Sequence, residues 1–243
     1  LSAPNVWQSS IGNGMQVYGI KNSEVPLVQL NIDIAGGMLF DEKNKVGVAN
    51  FVAEMMNKGT KHKTPQQLEQ AINQLGASIN VYANQESIKI SANTLARNYQ
   101  ATIDLITEML MEPRWDENEF SLAKQAIMSQ IKQQQTNPRQ LANNQMNKLL
   151  YGESHILSNN LLGTLASVKQ ISIADLQTFY KTKLSANLAK INIVGNIEKN
   201  TALAAFNDLG KNWLSTSARL PKLKAPALPS KSKIYFYDVP NAK

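Results

Sequence analysis

The chain has 243 residues, of which 43% are hydrophobic and 18% are charged, and its formal net charge is +7. This length allows one large or two small globular domains with a substantial core. No apolar run approaches the roughly 20 residues that a membrane-spanning helix needs, and the absence of cysteine excludes disulfides, thiolate metal ligands and a cysteine nucleophile. The opening segment, LSAPNVWQSS, is neither basic nor apolar and does not read as a signal peptide. Since the first residue is Leu1, we expect the chain to be a piece of a longer parent.

Two strands are predicted near the N-terminus. Residues Leu27–Ala35 alternate between apolar and polar side chains and include β-branched residues, which predicts a half-buried strand that ends at Gly36 and Gly37. Met15–Lys21 is a candidate neighbouring strand, because it follows the turn residues Gly12–Gly14.

Two helices are predicted after these strands. The apolar residues of the first lie at helical spacing: Val48, Phe51, Val52 and Met55. This helix closes near Gly59. The second begins at Thr64, which can act as its N-cap, with Pro65 in the first helical position and Gln67 completing a capping box.

The middle of the chain predicts two more strands and two helices. The inward-facing strand residues surround a polar turn at 84–87: Ile79, Val81, Ala83, Ile88, Ile90 and Ala92. A helix is predicted over Asn98–Met111. A long helix then begins near Asp116, where Glu119 completes a capping box, and Pro138 limits it.

The C-terminal part predicts helices over Leu141–Leu150, from Ser172 onward, and over Thr201–Leu209, with a strand at Ala189–Val194. Strands and helices come in blocks and not as regular βαβ units. This arrangement favours an α+β fold with a mainly antiparallel sheet packed against helices.

The tail predicts a domain boundary. Leu220–Lys231 contains three prolines and reads as an extended Pro/Lys-rich linker, and Lys233–Asp238 then reads as a strand. We therefore divide the chain into a domain at 1–219, a linker at 220–232 and the first strand of a following, truncated domain at 233–243. The tail is basic, but no aromatic residues are interleaved with its lysines in a stacking pattern, so we expect a solvated linker and no nucleic-acid binding.

Few residues offer catalytic chemistry. His62 and His155 are the only histidines, and neither has a second histidine at helical spacing, so we expect neither to bind metal. No Gly-x-Ser-x-Gly elbow is present. The glycines at Gly12–Gly14 are too short a motif for phosphate binding and are not followed by a predicted helix.

One segment resembles a known family. Residues Gly47–Thr60, GVANFVAEMMNKGT, resemble the signature of insulinase/pitrilysin-type zinc metallopeptidases, the inverzincins, whose active members read approximately G-L-A-H-F-L-E-H-M-x-F-K-G-T. The matching residues are Gly47, Ala49, Phe51, Met55, Lys58, Gly59 and Thr60. By this resemblance Asn50 occupies the first histidine position, Ala53 the catalytic glutamate position and Glu54 the second histidine position.

Other segments extend the resemblance from about Val6 to Trp213. They are Leu27–Gly37, Leu75–Ser78, Glu112–Phe120, Gly163–Thr164 and Ile193–Ile197. The stretch AKQAIMSQI, Ala123–Ile131, resembles the helix with the third zinc ligand and places Ala123 and Gln130 at its two acidic positions.

The resemblance implies a non-catalytic metallopeptidase domain with a LuxS/processing-peptidase-like fold. Asn50, Ala53, Glu54 and Gln130 are then degenerate motif positions, so we expect no catalytic residue and no metal in this chain. The expected partner is an active metallopeptidase domain, of the same or another chain, that holds the zinc and with which this domain encloses peptide substrates in a chamber. In active domains an edge strand pairs with the substrate, and the matching candidate here comprises Ile79, Val81 and Ala83.

Two alternatives stay open. Within the family, the alternative is a separate inactive processing-peptidase-like subunit. Outside it, a stand-alone protein-binding module would use its basic tail to dock onto an acidic surface. Family resemblance and the absence of cysteine favour the bacterial periplasm or cell envelope.

Overall fold

In the computed structural model, residues 4–226 and 233–236 are described. The strands are β1 (Trp7–Ile11), β2 (Met15–Lys21), β3 (Leu27–Ala35), β4 (Ser78–Ala83), β5 (Ser87–Leu95) and β6 (Ala189–Gly195). The helices are α1 (Val48–Met56), α2 (Pro65–Gln74), α3 (Tyr99–Met111), α4 (Glu117–Gln134), α5 (Pro138–Tyr151), α6 (Leu165–Gln170), α7 (Ile173–Lys183), α8 (Lys199–Ala204) and α9 (Asn207–Asn212).

The strands form one sheet in the order β1-β2-β6-β3-β5-β4. All neighbouring pairs are antiparallel except β2 and β6, which run parallel. The predicted α+β fold with a mainly antiparallel sheet is therefore confirmed. This order places β4 at one edge of the sheet, and β1, which the sequence did not predict, at the other.

The core lies between one face of the sheet and the helices. On β3 the alternate residues Val28, Leu30, Ile32 and Ile34 are buried. The opposite face carries polar side chains, including an ion pair between Asp33 and Lys89 at 2.6 Å. On the helical side Phe51 of α1 is fully buried and packs against Phe120 of α4, with ring centroids 5.6 Å apart. Helix α1 is thus held between the sheet and α4.

Most helix starts follow the predicted caps. Thr64 and Gln67 form the predicted capping box, and Ser172 caps α7 in a box with Asp175. Asp116 caps α4 by accepting from the backbone N–H groups of Asn118 and Glu119. Among the described hydrogen bonds, however, there is none from the Asp116 backbone N–H to the Glu119 side chain. That capping box was wrong in its second half.

The C-terminal helices differ from the prediction. The helix predicted over Thr201–Leu209 is two short helices, α8 and α9, separated at Phe206, whose backbone leaves the helical conformation. This break buries both Phe206 and Leu209 completely. Helix α6, capped by Thr164, was not predicted because it is a single short turn with little apolar periodicity.

The tail predictions lie partly outside the described residues. Residues 221–226 are exposed without regular structure, and residues 233–236 are exposed and unpaired in any strand. The remainder of the predicted linker and of the strand Lys233–Asp238 is not described, so the domain division stays a prediction. Within the described part of the chain, no helix is long and apolar enough to cross a membrane.

Candidate functional site

Helix α1 carries the three signature positions that the sequence analysis identified. Asn50 and Glu54 are four residues apart and share one partly exposed face of the helix. Ala53, three residues after Asn50, is 1% exposed and lies within the core. Glu54 forms an ion pair at 3.0 Å with Lys58, which lies two residues beyond the end of α1. The middle of α1 therefore has one polar face and one packed face.

The N-terminal end of α1 is fixed by a buried carboxyl group that the sequence analysis missed. Asp41 accepts hydrogen bonds from the backbone N–H groups of Gly47, at 2.8 Å, and Ala49, at 2.9 Å. Burial raises the pKa of Asp41 to about 7, and the two N–H bonds oppose that rise. Gly47 precedes the helix with φ of 115°, a conformation that glycine adopts without strain. No local pattern marks Asp41, because it lies six residues before its nearer partner.

The C-terminal end of α1 is fixed by a second polar cluster. Gly59 has φ of 101°, and a Cβ atom there would lie 2.6 Å from the Lys63 carbonyl oxygen. The fully buried Thr60 hydrogen-bonds to Glu108 of α3, and Lys63 pairs with the same carboxylate at 2.6 Å. Burial acts to raise the pKa of Glu108, but the bonds from Lys63 and Thr60 outweigh it and lower the pKa. The Gly59-Thr60 end of the motif thus has a structural role in this chain.

The fourth degenerate position, that of the third zinc ligand, lies on α4. Ala123 is buried in the core, whereas Gln130, two helical turns further on, is exposed. Gln130 lines a cleft of about 500 Å³ between the end of α4, α5 and the β4–β5 hairpin. Its lining contains amide side chains and no charged residue: Gln85, Gln130, Gln134, Gln140, Asn143, Asn144, Asn147, Asn159 and Asn160.

The amide cleft is partly closed by its own hydrogen bonds. The Asn160 amide donates to Gln134 at 3.1 Å and to Asn144 at 3.3 Å. This cleft was not predicted, although Asn and Gln are frequent between residues 130 and 160. Neutral amides can hold hydrogen-bonding groups, but they supply neither an anionic ligand nor a general base.

Neither histidine joins α1. The Nε2 atom of His62 lies 2.8 Å from a carboxylate oxygen of Glu112. His155 stacks on Tyr151 at 5.2 Å between ring centroids, and its Nδ1 accepts from the Leu157 backbone N–H. Both side chains therefore have local structural partners, and the expectation that neither binds metal stays a prediction.

The residues at the signature positions do not fit a catalytic zinc site. Such a site needs three imidazole or carboxylate ligands arranged around an open fourth position. Asn50 and Gln130 offer neutral amides, and Glu54 is a single carboxylate already paired with Lys58. In the part of the chain that the structure describes, no three His, Cys, Asp or Glu side chains are grouped to hold a metal ion.

The candidate peptide-contact strand lies where pairing is possible. β4 is an edge strand, and its inward residues Val81 and Ala83 are buried while Ile79 is half-buried. The Val81 backbone, however, is hydrogen-bonded on its outer side by the side chain of Asn57. That peptide binds at Ile79, Val81 and Ala83 stays a prediction.

The fold and the residues that fix the two ends of α1 define a domain of the zinc-metallopeptidase class. The sequence profile of the insulinase family, peptidase family M16, matches residues 17–165, and the chain belongs to this family.

Three relatives show how similar proteins are described. A probable mitochondrial-processing peptidase subunit beta from Arabidopsis thaliana is 23% identical over 247 aligned positions, covering 100% of this chain and 46% of the relative. A non-peptidase homolog, YmxG, from Helicobacter pylori is 23% identical, over 77% of this chain and 43% of the relative. The crystal structure of a peptidase M16 inactive domain from Pseudomonas fluorescens superposes with a TM-score of 0.85 at 25% identity, covering 92% of this chain and 54% of that chain. The chain thus spans about half the length of these relatives.

Proposed function

We propose that this chain is a non-catalytic domain of a zinc metallopeptidase, which forms part of a substrate-enclosing chamber and supports proteolysis by a separate active domain. One observation carries the proposal. Helix α1 keeps the residues that fix its two ends, Gly47 and Gly59-Thr60, while Asn50, Ala53 and Glu54 replace the residues that would bind zinc and activate water.

The chemistry of these replacements supports the loss of hydrolysis. Activation of a water molecule on zinc requires a metal held by three ligands and a nearby base that accepts the proton. The methyl group of Ala53 accepts no proton, and the amide of Asn50 is a poor substitute for imidazole. A single paired carboxylate, Glu54, does not compensate for either loss.

The expected partner is an active metallopeptidase domain that holds the zinc. Two comparisons support this proposal: the Pseudomonas structure is described as an inactive M16 domain, and the Helicobacter relative as a non-peptidase homolog. This chain covers 54% of the Pseudomonas chain, which leaves room in proteins of that size for a second domain. Peptide substrate would be enclosed between the two domains.

A separate inactive subunit is the second candidate, and the name of the Arabidopsis relative supports its being a subunit, though not its being inactive. That relative is named as a probable mitochondrial-processing peptidase subunit beta. In this arrangement the active domain belongs to another chain. Zinc analysis of the purified full-length parent separates the two candidates. If this chain is a domain of the active peptidase, zinc and this domain lie on one polypeptide; if it is a separate subunit, they do not.

Zinc content per chain tests the proposal. The chain is purified without chelator, dialysed against trace zinc and analysed by elemental mass spectrometry. We expect far less than one equivalent of zinc, and no hydrolysis of an unstructured peptide. Stoichiometric zinc that resists a chelator would overturn the proposal and would require a ligand set built from Glu54, His62 or His155.

The supporting role needs a second measurement. The full-length parent is compared with a version in which this domain has been deleted, with peptide hydrolysis and zinc content measured for both. We expect the deletion to lower hydrolysis while the zinc stays bound. Unchanged hydrolysis after deletion would refute the supporting role.

A further inference from the structure

The outer side of strand β4 is not open along its whole length. β4 pairs only with β5 in the described sheet. In an antiparallel pair, opposed residues alternately exchange their hydrogen bonds and direct them away from the partner strand. The hairpin bond from the Asn84 N–H to the Ser87 carbonyl, at 2.9 Å, sets this alternation. Val81, which lies opposite Ile90, therefore directs both its N–H and its C=O away from β5.

The side chain of Asn57 occupies both of these outward groups. Its Oδ1 accepts from the Val81 N–H at 3.0 Å, and its Nδ2 donates to the Val81 carbonyl at 2.7 Å. A third bond, from Nδ2 to the Ala53 carbonyl at 2.9 Å, ties the amide to the last turn of α1. An asparagine amide carries the same donor and acceptor as a peptide group. Asn57 thus stands where one residue of an added strand would pair.

We propose that Asn57 closes the β4 edge, so that an extended peptide pairs with this strand only by displacing the Asn57 amide. Peptides add to a sheet edge through main-chain bonds to alternate residues, here Ile79, Val81 and Ala83. Val81 is the middle of the three, so a peptide that left Asn57 in place would lose its central pair of bonds. The same contact protects the edge against pairing with other chains.

The inference deepens the proposed function. Its peptide-binding part rests on that function, because it states the condition under which this wall of the chamber contacts peptide. The closed edge itself does not, since it follows from the contacts of Asn57. Experiments on this chain alone therefore separate a failure of the inference from a failure of the proposed function, which is tested on the zinc content and on the full-length parent.

Amide hydrogen exchange tests the contact. Asn57→Leu removes all three bonds at similar side-chain volume, and Asn57→Asp is the matched control, since it keeps an acceptor for the Val81 N–H. By NMR we expect slow exchange of that N–H in the wild type and in Asn57→Asp, and at least about tenfold faster exchange in Asn57→Leu. Fast exchange in the wild type, or unchanged exchange in Asn57→Leu, would overturn the contact.

A peptide titration tests the closure. The probe is a short soluble peptide of alternating threonine and valine with glutamate at both ends, added to the isotope-labelled chain. We expect Asn57→Leu to bind it about tenfold more tightly than the wild type, with shifts at 79–83, because the bonds to Val81 no longer compete. Equal affinity for both proteins, or shifts confined to other residues, would refute the closure.

A folding failure of Asn57→Leu would not leave the inference untested. Asn57→Asp loses the donor to the Val81 carbonyl, so the control itself should bind the probe about threefold more tightly than the wild type. If Asn57→Asp binds no better than the wild type, and Asn57→Leu is unfolded, the closure is rejected.

Discussion

The two ends of helix α1 differ from its middle in what their residues contact. At the ends, Asp41 holds Gly47, and Glu108 holds Thr60, through hydrogen bonds to buried groups. In the middle, Asn50 and Glu54 lie on a partly exposed face, and Glu54 forms an ion pair with Lys58, four residues further along the chain. Among the retained signature residues, Gly47, Gly59 and Thr60 are thus those held by buried or close contacts.

This difference separates the signature positions that support the fold from those that can change at little cost in stability. Replacement of a residue on the exposed face of a helix leaves the packing intact and typically changes stability little. Replacement of a glycine with positive φ, or of a buried hydrogen-bonded group, destabilises the fold at once. Replacement of Gly47, Gly59 or Thr60 is therefore expected to cost more stability than replacement of Asn50 or Glu54.

The largest expected effect is the pH dependence that Asp41 confers. Its pKa in the folded protein, about 7, lies above the ordinary aspartate value of 3.8, so folding favours its protonated form. The resulting stabilisation is fully present below pH 4 and is lost as pH rises towards 7, by up to about 4 kcal/mol. Urea unfolding of the wild type and Asp41→Asn across this range measures it. We expect the difference between their unfolding free energies to vary with pH, and a constant difference would contradict the assignment to Asp41.

A smaller loss is expected when Gly59 receives a side chain. Gly59→Ala places a Cβ atom 2.6 Å from the Lys63 carbonyl at φ of 101°, and should lower the unfolding free energy by about 3 kcal/mol. Gly14→Ala is the matched control, since Gly14 also has positive φ but no atom within 4 Å of the added Cβ. That variant should lose only about 1 kcal/mol. Equal losses in thermal or urea unfolding would mean that the close contact at Gly59 is relieved by movement of the backbone.

Two carboxylates, Glu108 near the C-terminal end of α1 and Glu54 in its middle, test whether the end contributes more stability than the middle. Glu108→Gln removes the charge that pairs with Lys63 and should destabilise the domain by about 1 to 2 kcal/mol, because both groups are largely buried. Glu54→Gln breaks the more exposed pair with Lys58 and should cost about 0.5 kcal/mol or less. Urea unfolding at neutral pH measures both variants. A larger effect at Glu54 would mean that the middle of α1 also supports the fold.

Much of the fold could be predicted because its signals are local. The alternation in Leu27–Ala35 and the capping box of Thr64 both lie within one element, and the structure confirms them. Contacts between distant segments left no such signal. Asn57 meets Val81 24 positions along the chain, and Thr60 meets Glu108 48 positions along it. The order of the strands, which makes β4 an edge, was equally invisible in the sequence.

The candidate site shows the same limit. Resemblance located Asn50, Ala53 and Glu54 because they lie inside one continuous motif. It also placed Ala123 and Gln130 at equivalent positions on one helix, yet Ala123 is buried and Gln130 is exposed. Seven residues on an α-helix drift by about 20° from an exact repeat, and the neighbouring helix decides which of the two is covered. The amide cleft beside Gln130 depends on α5 and was therefore not predictable from α4 alone.

The smallest expected effect on stability comes from restoring the two histidines. The double variant Asn50→His and Glu54→His changes only the partly exposed face of α1, so the unfolding free energy should change by about 0.5 kcal/mol or less. Two imidazoles one turn apart can bind zinc, but without a third ligand the affinity should be low enough for a chelator to remove the metal. Ala53 still offers no base, so no peptide hydrolysis is expected. Zinc titration, urea unfolding and a peptide assay test these outcomes together. Hydrolysis by the double variant would show that a group other than residue 53 activates water. The absence of hydrolysis expected for the wild-type chain would then follow from its missing zinc ligands alone.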